Sequence, residues 1–213
     1  GPRGGLILCE TEFADAVNKG CPLVIGGPLP HVMAAKAVAL REAMDPSFAE
    51  YAGRIVENAA AAAQACKDAG LTVTTGGTDN HLFLIDVRSV GLTGRQAESV
   101  LRECGITLNR NSLPNDPNGA WYTSGLRLGT AALTTLGMGA REMQEVAGIL
   151  QRVLSETRPA TIASGKNAGK TSKAKYEVEE GVIHEARQRV QALLDDYPLY
   201  PELDLPLLQK HFC

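Results

Sequence analysis

The periodicity of the chain changes from helical to strand-like at Gly70. Residues 48–69 carry an alanine-rich helical pattern, and a glycine directly after such a pattern is a common helix terminator. Residues 71–75 and 81–86 are rich in β-branched and apolar side chains and flank a turn-forming segment at 76–80. This arrangement predicts two strands joined by a tight connection.

The alternation of helix and strand continues after these two strands. Thr93 can cap a helix over about 94–104, and Gly105 is placed to end it. Short strands are predicted at 106–108 and 126–130. The resulting β-β-α-β unit, preceded by long helices, predicts an α/β fold or an α+β fold with a helix-covered sheet.

The flanking segments are assigned from the same local signals. Three prolines and a glycine pair exclude a regular helix over residues 22–30, and Ser47 is a candidate N-cap for the long helix. We further predict a short buried strand at 6–9, helices at 12–18, 31–44, 143–154 and 178–193, a mobile linker at 161–175 and an extended tail at 197–201.

The composition is typical of a globular protein. Of the 213 residues, 44% are hydrophobic and 21% are charged, and a chain of this length can bury roughly 70% of its unfolded surface. No segment approaches the roughly 18 apolar residues of a membrane span. The formal charge of −3 gives no electrostatic reason to expect nucleic acid or an anionic membrane as a partner. The five cysteines form no C-x-x-C pair and no segment resembles a secretory signal peptide, which favours a reducing, cytoplasmic setting.

Searches for catalytic and metal-binding motifs leave two glycine-rich segments. Nucleophile-elbow, zinc-protease and phosphate-loop patterns are absent, and the histidines are too dispersed for a metal set. Residues 1–5 (GPRGG) form either a turn or a close backbone approach to an anion, to which Arg3 adds charge. Gly26 and Gly27 precede a helix, so they form either a simple turn or a set of free N–H groups suited to a phosphate.

A third segment, residues 109–130, combines an irregular loop with a strand. The loop is rich in Asn and Pro and contains Trp121, the only tryptophan. Arg127 lies between Leu126 and Leu128, so in an alternating strand it points away from both leucines. It is either a solvent-facing residue or a clamp for a carboxylate, which a planar guanidinium binds with two parallel hydrogen bonds.

Taken together, these segments resemble serine hydroxymethyltransferase. The motifs GPRGG-LILC, GGPLPHVMAAKAVAL, GGTDNHLFLIDV, LTGRQAE, NRNSLPNDP and TSGLRLGT occur in that family's order and spacing over residues 1 to about 155. The resemblance implies a pyridoxal-phosphate enzyme that transfers a one-carbon unit between serine and tetrahydrofolate and yields glycine. It implies the fold-type I architecture, with the end of the large domain and a connecting helix at 1–47, and a long helix with the small α+β domain at 48–213. A cytoplasmic homodimer is expected.

The resemblance also implies roles for individual residues. Arg127 would grip the substrate α-carboxylate, Gly27 would contact the cofactor phosphate across the dimer interface, and Arg3 would lie near the cofactor. The residues expected at the folate site are Asn111, which faces the pterin, and Gly119, Ala120 and Trp121 in the following loop. Ala131 and Leu136 depart from the family pattern, which has proline and arginine there.

The opening at Gly1, inside a glycine turn and without methionine, indicates a chain cut from a longer one. In the family, the Schiff-base lysine stands a few residues before the GPRGG turn, so this chain by itself is expected to be inactive. Two alternatives remain open from the sequence. The chain could be a catalytically inactive C-terminal module that serves assembly or partner binding, or part of another fold-type I pyridoxal enzyme with a different amino-acid substrate.

Overall fold

The computed structural model describes residues 1–165 and 167–212. The chain divides into two compact units, one of residues 1–52 and one that starts at Gly53. Within the described residues, no helix combines the length and the apolar character needed to cross a membrane. The architecture is mixed, with helices and small antiparallel sheets, as the sequence predicts.

The first unit is helical. A short 3-10 turn at Thr11–Phe13 leads into α1 (Ala14–Ile25). The next helix, α2 (Pro30–Ala43), begins with a proline, which is tolerated in the first turn because a backbone N–H there would have no partner within the helix. The prediction that residues 22–30 exclude a regular helix is wrong over its first part, because α1 continues through Pro22 to Ile25. Pro22 leaves only the carbonyl oxygen of Asn18 without its helical partner, and Gly26 (φ 78°) ends the helix.

The predicted buried strand at residues 6–9 is not present in the structure. These residues form no strand, and the side chains of Leu6, Ile7 and Leu8 are 65%, 60% and 86% exposed. A strand needs a hydrogen-bonded neighbour, and nothing in the described first unit pairs with this segment.

The long helix α3 (Pro46–Asp68) starts in the first unit and ends in the second. The predicted cap at Ser47 is wrong by two positions. Asp45 Oδ1 accepts hydrogen bonds from the backbone nitrogen of Ser47 at 2.9 Å and from its hydroxyl at 2.6 Å. Asp45 is therefore the capping residue, and its side chain satisfies the free backbone N–H of Ser47 at the start of α3.

The second unit contains a four-stranded antiparallel sheet in the order β1-β2-β4-β3. Its strands are β1 (Thr72–Val73), β2 (Leu82–Asp86), β3 (Asn109–Asn111) and β4 (Gly125–Gly129). The strands predicted at 81–86 and 126–130 are confirmed within a residue. The one predicted at 71–75 is shorter, since a 3-10 turn begins at Thr74. The short strand predicted at 106–108 lies at Asn109–Asn111 instead, because register with β4 rather than apolar character decides its position.

One face of this sheet is covered by helices. Phe83, Ile85 and Leu126 project into a core formed with α3, α4 (Gly94–Glu103) and α7 (Ala140–Glu156). The small side chains at the end of α3 let the helix approach closely, and they include Ala59, Ala62, Ala63 and Cys66, all buried. The cap predicted at Thr93 is confirmed: its hydroxyl accepts from the backbone N–H of Gln96, and the Gln96 side chain accepts from the backbone N–H of Thr93.

The segment predicted as a mobile linker, residues 161–175, contains a strand. β5 (Arg158–Thr161) pairs with β6 (Thr171–Glu177) as a hairpin. Gln96 Nε2 donates to the carbonyl oxygens of Ser172 and Lys175, each at 2.8 Å, so α4 holds β6 in place. Tertiary hydrogen bonds thus order a stretch whose glycine, serine and lysine content alone favours a loop. Of the Lys166–Lys175 tract, Lys166 lies outside the described residues.

The remaining elements are helices. α5 (Gly119–Tyr122) and α6 (Ala131–Thr135) flank β4, and α8 (Glu180–Asp196) packs on α7. Arg189 of α8 donates to Glu145 of α7 at 2.7 Å. After the tail at 197–201, α9 (Leu205–Phe212) follows.

Candidate active-site face

The uncovered face of the sheet carries the strongest candidate residue, Arg127. Arg127 lies directly opposite Asn109 on β3 and Leu84 on β2. Because side chains alternate along a strand, Asn111 shares this face with Asn109. We refer to this surface as the open sheet face. The structure therefore brings Arg127 and Asn111, which the sequence assigned separately, onto one side of the sheet.

The guanidinium of Arg127 is only partly engaged. Its Nε donates to Asn109 Oδ1 at 3.0 Å, and Asn109 Nδ2 donates in turn to the carbonyl oxygen of Arg110 at 2.8 Å. The two terminal nitrogens of Arg127 form no hydrogen bond or ion pair with any residue that the structure describes. Arg127 is exposed while Leu126 is fully buried, so the predicted orientation of the strand is confirmed.

Glycines flank Arg127 on the open sheet face. Gly125 and Gly129 lie two residues to either side of it and so share its face. A Cβ at Gly125 would lie 2.6 Å from the Leu113 side chain and 2.8 Å from the Asn111 carbonyl oxygen, so this glycine is required by packing. At Gly129 the nearest atom, the His81 carbonyl oxygen, is 3.5 Å away. The space beside the guanidinium is therefore open on the Gly129 side, whereas Leu113 fills the Gly125 side.

The loop between β3 and β4 is organised by Asp116. Its carboxylate accepts hydrogen bonds from the backbone nitrogens of Leu113 (3.1 Å), Asn118 (2.9 Å) and Ser124 (2.7 Å), and from the Ser124 hydroxyl (2.7 Å). Partial burial raises the pKa of the Asp116 carboxyl, but these hydrogen bonds outweigh it and hold the pKa below its usual range. Sequence reasoning missed Asp116, for which the only signal was an acidic residue between Asn115 and Pro117.

Trp121 lies against basic side chains. The guanidinium carbons of Arg95 and Arg110 are 5.0 Å and 5.6 Å from its ring centroid, within cation–π distance. Arg110 also pairs with Glu98 of α4. By strand alternation Arg110 projects to the helix-covered side. Gly119, Ala120 and Trp121 of α5 are thus placed beside α4, while Asn111 lies on the open sheet face.

Arg3 and Gly27 belong to the first unit. Both are exposed, and Gly27 follows Gly26 in the connection from α1 to α2. Among the described residues, no atom outside the immediate chain neighbours lies within 4 Å of a Cβ built at Gly26 or Gly27. The backbone of this connection is therefore accessible to a ligand.

A cavity of about 710 Å³ lies in the second unit beside the open sheet face. Its polar lining comes from His81, Thr107, Asn109 and Arg127, and the sequence did not predict this cavity. Its apolar lining includes Leu82, Ile106, Leu133, Met138, Ile149 and Val190. Within residues 1–165 and 167–212, no group of three or more metal-ligating side chains is found.

A protein-family model described as serine hydroxymethyltransferase matches residues 1–150. The chain belongs to the serine hydroxymethyltransferase family. A serine hydroxymethyltransferase of Treponema pallidum is 57% identical over 212 residues, which is 100% of this chain and 36% of that protein. Those of Salinispora tropica and Chlamydia trachomatis serovar D are 56% and 54% identical, covering 96% and 98% of this chain and 42% and 41% of theirs. The chain therefore spans about two fifths of the length of these curated relatives.

The two positions expected to depart from the serine hydroxymethyltransferase pattern lie around α6. Ala131 is its first residue, and Leu136 follows its end. Leu136 is half-buried and packs against the core of the second unit. An apolar side chain thus suits the local packing at that position.

Proposed function

We propose that this chain supplies the substrate-carboxylate clamp of a serine hydroxymethyltransferase, which transfers a one-carbon unit between serine and tetrahydrofolate and yields glycine. The observation that carries the proposal is Arg127, an exposed guanidinium that is held by its Nε on an open sheet face and whose two terminal nitrogens no described residue engages. A planar guanidinium in this state can form two parallel hydrogen bonds to an α-carboxylate. Binding the carboxylate at one fixed place orients the bonds around the substrate Cα.

The first unit offers donors suited to the phosphate of pyridoxal phosphate. Gly27 is accessible, lies close before the N-terminus of α2, and presents its backbone N–H without a side chain in the way. Arg3, also exposed, would add a positive charge. Gly27 would hold the phosphate and Arg3 would lie near the cofactor. When bound, pyridoxal phosphate supplies an electron sink for bond cleavage at the substrate Cα.

Asn111 is the proposed contact for the pterin of tetrahydrofolate. An asparagine amide can both donate to and accept from a flat, amide-rich heterocycle, and Asn111 shares the open sheet face with Arg127. The loop residues Gly119, Ala120 and Trp121 would pack on the folate. Trp121 packs against Arg95 of α4 and against Arg110, so folate would extend from the sheet face around the β3 edge.

The proposal extends to the architecture and setting of the complete enzyme. Residues 1–47 would end a fold-type I large domain with its connecting helix, and residues 48–213 would form the small domain after the long helix. A homodimer follows from the resemblance, in which Gly27 serves the cofactor of the neighbouring copy. The described cysteines are free, which supports a cytoplasmic location.

Substitution of Arg127 tests the proposal. In the complete enzyme, Arg127→Lys keeps the positive charge but loses the two-pronged geometry, so we expect serine and glycine to bind at least tenfold more weakly. The absorbance of the bound cofactor should be unchanged. Arg158→Lys is the matched control, since Arg158 is an exposed arginine on β5 that donates to backbone carbonyl oxygens. Serine affinity in Arg127→Lys equal to that of the control would contradict the assignment.

A further inference from the structure

Asn109 is the side chain that fixes the position of the Arg127 guanidinium. The two residues are direct partners in the β3–β4 register, and Asn109 Oδ1 accepts from Arg127 Nε at 3.0 Å. Asn109 is itself held, because its Nδ2 donates to the carbonyl oxygen of Arg110 at 2.8 Å. Its amide is half-buried while Arg127 is exposed. The sheet thus anchors Asn109, and Asn109 anchors the arginine.

We propose that Asn109 is a positioning residue that sets which edge of the Arg127 guanidinium receives the substrate carboxylate. This inference rests on the proposed function of Arg127. A guanidinium offers two edges to a carboxylate, one formed by the two terminal nitrogens and one formed by Nε with a terminal nitrogen. Asn109 occupies Nε, so the carboxylate binds end-on, at the two terminal nitrogens. The amino acid is thereby held in one orientation above the open sheet face.

The neutrality of Asn109 is part of this role. Among the residues that the structure describes, no acidic side chain forms an ion pair with Arg127, so the full positive charge is available to the ligand. An aspartate at position 109 would still accept from Nε, but its negative charge would compete with the carboxylate of the substrate. An asparagine therefore orients the arginine without neutralising it.

The test is a set of binding measurements on the complete enzyme by titration calorimetry with glycine and serine. Asn109→Ala removes one charge-assisted hydrogen bond and should weaken glycine binding about tenfold. Asn109→Asp, which keeps the size and the acceptor, should weaken it further. Neither substitution should change the affinity for ethanolamine, which lacks the carboxylate. Thr72→Ala, on the same face at the opposite edge of the sheet, serves as the control.

Arg127→Ala separates the inference from the proposed function. If Arg127→Ala leaves glycine affinity unchanged, the clamp itself is wrong. If Arg127→Ala weakens binding but Asn109→Ala behaves like Thr72→Ala, or weakens binding equally in the presence and absence of Arg127, the positioning role is overturned. A double variant no weaker than Arg127→Ala supports it. Should Asn109→Ala fail to fold, Asn109→Asp decides: glycine affinity equal to that of Thr72→Ala overturns the inference.

Discussion

Removal of the Asp116 carboxylate should loosen the whole loop between β3 and β4. Asp116→Ala deletes four hydrogen bonds, two of which are donated by Ser124, a residue with 0% exposure. The buried backbone N–H of Ser124 then loses the carboxylate oxygen that accepts its hydrogen bond. Counting the net value of the lost bonds and the desolvated N–H, we expect a loss of about 3 kcal/mol in the free energy of unfolding. Asp116→Asn keeps one oxygen and should lose about 1 kcal/mol.

Thermal unfolding of the chain followed by circular dichroism measures this effect. For a unit of this size, about 3 kcal/mol corresponds to a fall of roughly 6–12 °C in melting temperature. Asp79→Ala is the control, because Asp79 is an exposed loop aspartate whose one hydrogen bond among the described residues, from Asn80, is long at 3.5 Å. An equal melting temperature in Asp116→Ala and Asp79→Ala would refute the role of Asp116 as organiser of the loop.

The stabilisation by the Asp116 carboxylate has a defined pH dependence. The pKa of Asp116 is lowered in the folded state, so its stabilisation is fully present above the unfolded pKa of about 3.9. It is lost as the pH falls through the lower, folded value. The difference in melting temperature between the original chain and Asp116→Asn should therefore be constant near neutrality and shrink in acid. A difference that grows below the unfolded pKa would contradict this sign.

Three further predictions concern packing, a helix start and thiol reactivity. Gly125→Ala should destabilise by about 2 kcal/mol because its Cβ meets atoms at 2.6 and 2.8 Å, while Gly129→Ala, with 3.5 Å of space, should be nearly neutral in urea denaturation. The Glu142 carboxylate accepts a hydrogen bond from the backbone N–H of Gly139, which lowers the pKa of Glu142 to about 2. Glu142→Gln should therefore lower the melting temperature above about pH 4.3 and converge with the original chain as the pH approaches 2. Burial raises the pKa of the Cys66 thiol to about 12, so iodoacetamide should label the exposed Cys9 first, as peptide mass spectrometry can show; equal labelling rates would contradict this.

The sequence predicts those elements whose stability is local. Three such features are present in the structure: the Thr93 cap, the helix α7 and the alternation around Arg127. Each depends on neighbours within a few residues. Two short segments whose pairing depends on a distant partner, 106–108 and 6–9, were predicted wrongly. The polar strand Asn109–Asn111 exists because β4 pairs with it, and the apolar residues 6–9 have no pairing partner within the described first unit.

The same distinction applies to the candidate site. Arg127 could be identified from a strand pattern and from a family motif, both of which are readable in one dimension. The hydrogen bond from its Nε to Asn109 joins residues 18 positions apart, and the Asp116 bonds reach Ser124 across the loop. Neither contact leaves a periodic signal in the sequence. Whether Gly27 and Arg3 serve the same site as Arg127 stays a prediction.

Trp121 gives this protein a natural optical label. It is the only tryptophan, it is 62% exposed, and two guanidinium groups lie within 6 Å of its ring. Its emission therefore reports on a single short helix, and the nearby positive charge should let iodide quench it more effectively than caesium does. The fluorescence of Trp121 can thus follow the loosening of this one loop without a signal from any other tryptophan.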